Sequence, residues 1–145
     1  MKADLKLLWI DDDANGLLSP LGRFLMRSGF IVRKVEDVRS AEQQLANDTF
    51  DAVLLDLMLP IDRGEHALSS GLYIAKGIRA GKYWDKSRNT GTKPKTTIAL
   101  LSYLGSDPEI LSESEGLRIT SFAKAVLLEP RKIEELVRFL ARRKS

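Results

Sequence analysis

Apolar runs of strand length alternate along this chain with segments of helical period, and several of the runs end in a carboxylate. Leu5 to Ile10 is nearly continuous in its apolarity, as a parallel strand covered on both faces requires, and Asp11, Asp12 and Asp13 follow it. Ile31 to Val35, Ala52 to Leu55, Ile98 to Leu101 and Ala125 to Leu128 read as four more strands. The third is closed by Asp56, the fourth by Ser102 and the fifth by Glu129. Between them lie helix signals. Ser19-Pro20 opens a first helix striped by Leu21, Phe24 and Leu25 and stopped by Gly29. Ser40-Ala41-Glu42-Gln43 fits a capping box, which starts a second helix near Ala41 and carries it to about Ala46. Leu72, Ile74, Ala75 and Ile78 mark a third helix, Asp107-Pro108 opens a fourth, and Ile133, Leu136, Val137 and Leu140 mark a fifth after Pro130.

Five strand–helix repeats call for a parallel sheet with right-handed crossovers and helices on both faces. The 145 residues fit one domain, with long loops at about 57–70 and 81–96. There is no cysteine, so disulfides and thiolate metal sites are excluded. No apolar run approaches a membrane span, and Met1-Lys2-Ala3-Asp4 lacks a signal-peptide pattern; the expectation is a cytoplasmic protein with no membrane partner. The net charge of +3 does not argue for direct nucleic-acid binding, although Lys76, Arg79, Lys82, Lys86, Arg88, Lys93 and Lys95 face only Asp85 in one stretch. Tyr83-Trp84 within that stretch reads as packing under a long loop, with base stacking as the alternative.

In open parallel sheets the ligand site lies beyond the carboxyl ends of the strands. That places Asp11, Asp12, Asp56, Ser102 and Glu129 on one edge. Converging carboxylates repel one another and call for a counter-charge, which a hard divalent cation such as Mg²⁺ supplies through oxygen ligands. A carboxylate beside that ion is a plausible phosphoryl acceptor, and a hydroxyl such as Ser102 can bond a phosphoryl oxygen.

At these positions the chain resembles the receiver domains of bacterial response regulators. Leu7-Leu8-Trp9-Ile10-Asp11-Asp12-Asp13 is similar to their first-strand motif, and Asp51-Ala52-Val53-Leu54-Leu55-Asp56-Leu57-Met58-Leu59-Pro60 to their acceptor motif. The resemblance implies an α/β, flavodoxin-like (βα)5 doubly wound sheet of strand order 2-1-3-4-5. It implies that Asp56 accepts a phosphoryl group from a histidine kinase or phosphotransfer protein. It further implies that Asp12, Asp56 and the Met58 carbonyl bind Mg²⁺ directly, with Asp11 acting through a bound water, and that Ser102 senses the phosphoryl group. Output would pass to a downstream protein partner or fused effector domain, with a homodimer also compatible. Any catalysis would be confined to phosphorylation and dephosphorylation of Asp56 itself.

Aligned on Leu127-Leu128-Glu129-Pro130, the family's strand-five lysine is Glu129, its switch aromatic is Val126, and Tyr103 stands where a small residue is usual. The loop after Pro60 is also longer than usual. On this reading the pocket is atypical, and Glu129 either joins the metal site or is answered by a cation from Arg63, His66 or Lys124. Two alternatives follow: a phosphorylation-independent pseudo-receiver acting as a protein-interaction module, and a metal-dependent phosphohydrolase built on Asp11-Asp12-Asp13. The second lacks its family's residue at Asn15.

Overall fold

The strand-length apolar runs assemble into one parallel sheet. The computed structural model describes residues 4–12, 19–62, 65–66, 70–102, 108–124 and 129–142. In chain order its elements are β1 (Leu5–Ile10), α1 (Ser19–Arg27), β2 (Phe30–Val35), α2 (Val38–Asn47), β3 (Ala52–Asp56), β4 (Pro60–Asp62), β5 (Glu65–His66), α3 (Ser70–Arg79), β6 (Trp84–Asp85), β7 (Thr90–Gly91), β8 (Thr97–Ser102), α4 (Pro108–Gly116), β9 (Thr120–Ala123) and α5 (Pro130–Leu140). The sheet runs β2-β1-β3-β8-β9 with every pair parallel, which is the expected 2-1-3-4-5 order of a doubly wound fold.

Side chains alternate across the central strands and feed two cores. Leu8, Ile10, Val53, Leu55, Ile98 and Leu100 pack with α2 and α3 on one face, while Leu7, Trp9, Leu54, Ala99 and Leu101 pack with α1 and α5 on the other. Because β1, β3 and β8 have neighbours on both edges and helices on both faces, they are buried along nearly their whole length. Each fully buried Leu or Ile contributes about 1.5–3 kcal/mol, so these three strands dominate the gain that offsets chain entropy. Among the described residues no helix is long and apolar enough to cross a membrane.

Three expectations need correction. The second helix starts at Val38, because Asp37 rather than Ser40 is its N-cap: the Asp37 carboxylate accepts a hydrogen bond from the Ser40 N–H at 2.7 Å. The two long loops are not without structure. The first contains the antiparallel pair β4–β5 and the second the pair β6–β7. Most consequentially, the fifth strand of the sheet is Thr120–Ala123, not a run beginning at Ala125; residues 125–128 lie outside the described residues. An edge strand need not be continuously apolar, and the run that follows it is the more apolar of the two.

Candidate functional site

The carboxyl ends of β1, β3 and β8 meet at one rim of the sheet. Asp11 follows β1 directly; its N–H donates to the Val35 carbonyl at 3.0 Å, which continues the ladder and holds the carboxylate at the rim, fully buried. Asp56 is the last residue of β3, in register with Leu101, and is 5% exposed. Asp12 is exposed beside them, and carboxylate oxygens of Asp11, Asp12 and Asp56 lie within 4.8 Å of one another.

The segment after Asp56 is clamped by the start of α3. Ser70 Oγ accepts from the Leu59 N–H at 2.7 Å and donates to the Leu59 carbonyl at 2.8 Å, and the Gly71 N–H donates to the Leu57 carbonyl at 2.8 Å. A side chain at position 71 is impossible in this arrangement, because a Cβ there would lie 2.2 Å from the Asp56 carbonyl oxygen. The Met58 N–H donates to Asp56 Oδ1 at 3.2 Å. Ser70 and Gly71 therefore set the segment after Asp56, a role invisible in a polar Ser-Ser-Gly run.

The counter-charge comes from Lys124. The register pairs Ala123 with Ser102, so the next residue leaves β9 level with the acidic rim. Its Nζ lies 3.1 Å from Asp56 Oδ2 and 3.3 Å from Asp11, and the side chain is 3% exposed. Burial raises the Asp56 carboxyl, and the Asp11 charge adds to it; Lys124 and the Met58 N–H pull the other way, and the balance is pushed up to about 7. Burial opposes the Lys124 charge, but the carboxylates of Asp11 and Asp56 outweigh it and push its pKa above the ordinary value.

No protein-family model matches the chain. Solved structures do resemble it. The chemotaxis protein CheY4 of Vibrio cholerae superposes with a TM-score of 0.70 at 19% identity, covering 95% of this chain and 99% of that one. The activated receiver domain of DrrB, a Thermotoga maritima protein, gives 0.65 at 24% identity, covering 97% and 100%. A response regulator of Burkholderia pseudomallei, solved with a phosphorylated aspartic acid and a calcium ion, gives 0.62 at 20% identity, covering 93% and 72%. The chain has the receiver-domain fold.

Within that receiver fold, Asp11, Asp12, Asp56 and Lys124 come together, and Ser102 is buried at the end of β8 on the same rim. Met58 is 37% exposed beside Asp56. Glu129 does not end the fifth strand; it is the exposed N-cap residue of α5, with no side-chain cap bond. Among the described residues the cation in the acidic rim is thus Lys124; Glu129 does not stand in its place, because the strand ends five residues earlier than expected. The aromatic of the fifth strand is correspondingly Phe122, two residues before Lys124, opposite Leu101 and 5.8 Å from the Phe139 ring of α5. His66 lies on β5 opposite Pro60. Arg63, Tyr103 and Val126 lie outside the described residues. The three carboxylates form a hard-oxygen donor set suited to a divalent cation.

Proposed function

We propose that residues 1–145 form one receiver unit of a phosphorelay, with Asp56 as the phosphoryl acceptor. The observation that carries this reading is the Lys124 ammonium held between Asp11 and Asp56 at the carboxyl ends of the strands. An Asp56 oxygen attacks the phosphorus of a phosphohistidine on a histidine kinase or phosphotransfer protein. The phosphorus–nitrogen bond breaks, the imidazole leaves, and an acyl phosphate remains on Asp56. Mg²⁺, held by the carboxylates of Asp11, Asp12 and Asp56 with the Met58 carbonyl, would neutralise charge on the transferring group.

This chain's own residues do the rest. Lys124 pairs with the Asp56 carboxylate beforehand and with a phosphoryl oxygen afterwards, so its ammonium never loses an anionic partner. Ser102 supplies a hydroxyl to a second phosphoryl oxygen. The Ser70–Leu59 bonds keep the acceptor loop in place while charge moves. Hydrolysis of the acyl phosphate resets the site, and a downstream partner reads the difference.

Incubation with acetyl phosphate and Mg²⁺, followed by intact-mass measurement, tests this. One added phosphoryl group is expected, and none in Asp56→Asn. An unmodified wild-type chain at saturating donor would overturn the proposal and leave a pseudo-receiver.

A further inference from the structure

The second long loop is a folded attachment on the opposite end of the sheet. It joins α3 to the start of β8, so it lies at the amino ends of the parallel strands, away from Asp56. Its anchor is Tyr83, which is 5% exposed: the ring lies against Gly77 of α3, and the hydroxyl donates to Glu42 of α2 at 2.7 Å. Thr49 Oγ1 donates to the Gly91 carbonyl at 2.6 Å, and Thr92 Oγ1 to the Asp48 carbonyl at 3.0 Å. Gly91 has φ +96°, and a Cβ there would lie 1.9 Å from the Tyr83 carbonyl oxygen, so the hairpin closes only on glycine.

The inner side is fully used; the outer side is not. Asp85 accepts from Ser87 and from the Arg88 N–H, which stiffens the tip. Lys86, Arg88, Lys93 and Lys95 are all exposed; Arg88 lies 3.9 Å from the Asp85 carboxylate, and Lys93 sits 5.5 Å above the half-buried Trp84 ring. Residues 82–95 hold five cations against one acid, whereas the whole chain carries only +3, so the remainder of the molecule is slightly acidic. The positive charge is concentrated on this anchored hairpin and the segment that follows it.

We propose that the outer face of this hairpin, Lys86, Arg88, Lys93 and Lys95, is a docking surface for the phosphate backbone of nucleic acid. Protein partners are gripped through buried apolar and aromatic anchors. The large apolar side chains exposed among the described residues are Phe24, Met26, Ile31, Met58, Tyr73 and Leu111, and none is on the hairpin. The tip instead offers Lys86, Arg88, Asn89 and Thr90, whose side chains can donate hydrogen bonds. Phosphate contacts need only such groups, and a two-stranded ribbon is a shape the major groove admits.

Fluorescence anisotropy with a labelled mixed-sequence duplex of about 20 base pairs, without phosphodonor, tests the proposal independently of Asp56 chemistry. Four phosphate contacts give a slope of log K against log salt of about −3.6, a loss of roughly a hundredfold between about 50 and 200 mM salt. The variant carrying Lys86→Gln, Arg88→Gln, Lys93→Gln and Lys95→Gln keeps the side-chain stems and should lose at least about tenfold in affinity and most of that slope. No anisotropy change at low salt would overturn the proposal. So would unchanged binding by the quadruple variant, or tighter binding of a poly-glutamate peptide than of duplex at equal charge, which would indicate an acidic protein partner.

Discussion

The two ends of the sheet hold charge in opposite ways. At the carboxyl end, Asp11, Asp56 and Lys124 are almost completely removed from water and lie within 3.3 Å of a partner. At the amino end, Lys86, Arg88, Lys93 and Lys95 are more numerous and exposed to solvent. In low dielectric a charge acts strongly on its neighbours and shifts their protonation; in water it contributes a screened field. Burial, more than the number of charged residues, therefore decides which charges act on one another and which act on their surroundings.

The strongest way to break that comparison is by pH. With the folded-state Asp56 pushed up to about 7 from 3.8, the folded chain keeps a proton that the unfolded chain has released between those values. Stability of the metal-free protein should therefore fall as pH rises from about 4 to 7, by on the order of 4 kcal/mol. The raised Lys124 pKa works in the same sense but at higher pH: its contribution is complete throughout this window and is lost only as pH climbs through its folded value. Urea unfolding in chelator, wild type against Asp56→Asn, measures the effect, and the variant should remove most of the fall. Parallel pH profiles would mean that Asp56 titrates as if in water.

Lys124→Ala comes next. Removing one partner from a buried ion pair leaves two carboxylates uncompensated, and we expect a loss of about 3 kcal/mol at neutral pH, with partial recovery on adding Mg²⁺. The value sits at the low end because Asp56 can relieve the strain by taking a proton. An unchanged denaturation midpoint would place the ammonium outside the pocket. The smallest effect belongs to the hairpin. Tyr83→Phe removes a hydrogen bond to a carboxylate and should cost about 2 kcal/mol, with faster amide exchange in residues 82–95 and no change in Asp56 phosphorylation. Slower phosphorylation in that variant would show that the two ends are coupled.

Much of the fold was legible because its cause is local. Continuous apolarity in β1, β3 and β8 reports burial on both faces, and Asp11, Asp12 and Asp56 follow from where those runs stop. The cation was harder to read. β9 is a short edge strand whose Thr120 is exposed and whose other residues are half-buried, so its pattern is weak beside the apolar Ala125–Leu128 run. In the sequence Lys124 is therefore only one of three candidate cations, and Glu129 aligns in its place. The N-cap of α2 is ambiguous in sequence for a similar reason: both Asp37 and Ser40 can cap, and only the direction of the side chain distinguishes them.

By itself the sequence determined the order of elements, the parallel sheet and the acidic triad, because periodicity and strand-end carboxylates are properties of contiguous residues. The tertiary structure decided what no contiguous stretch contains. Ladder register places Ala123 opposite Ser102 and so delivers Lys124 to the acids. Packing across α2 and α3 turns a basic loop into a fixed hairpin through Tyr83. Lys124 and Asp11 stand 113 residues apart along the chain. Their attraction exists only once the sheet has brought them to one rim and excluded the water that would otherwise screen them.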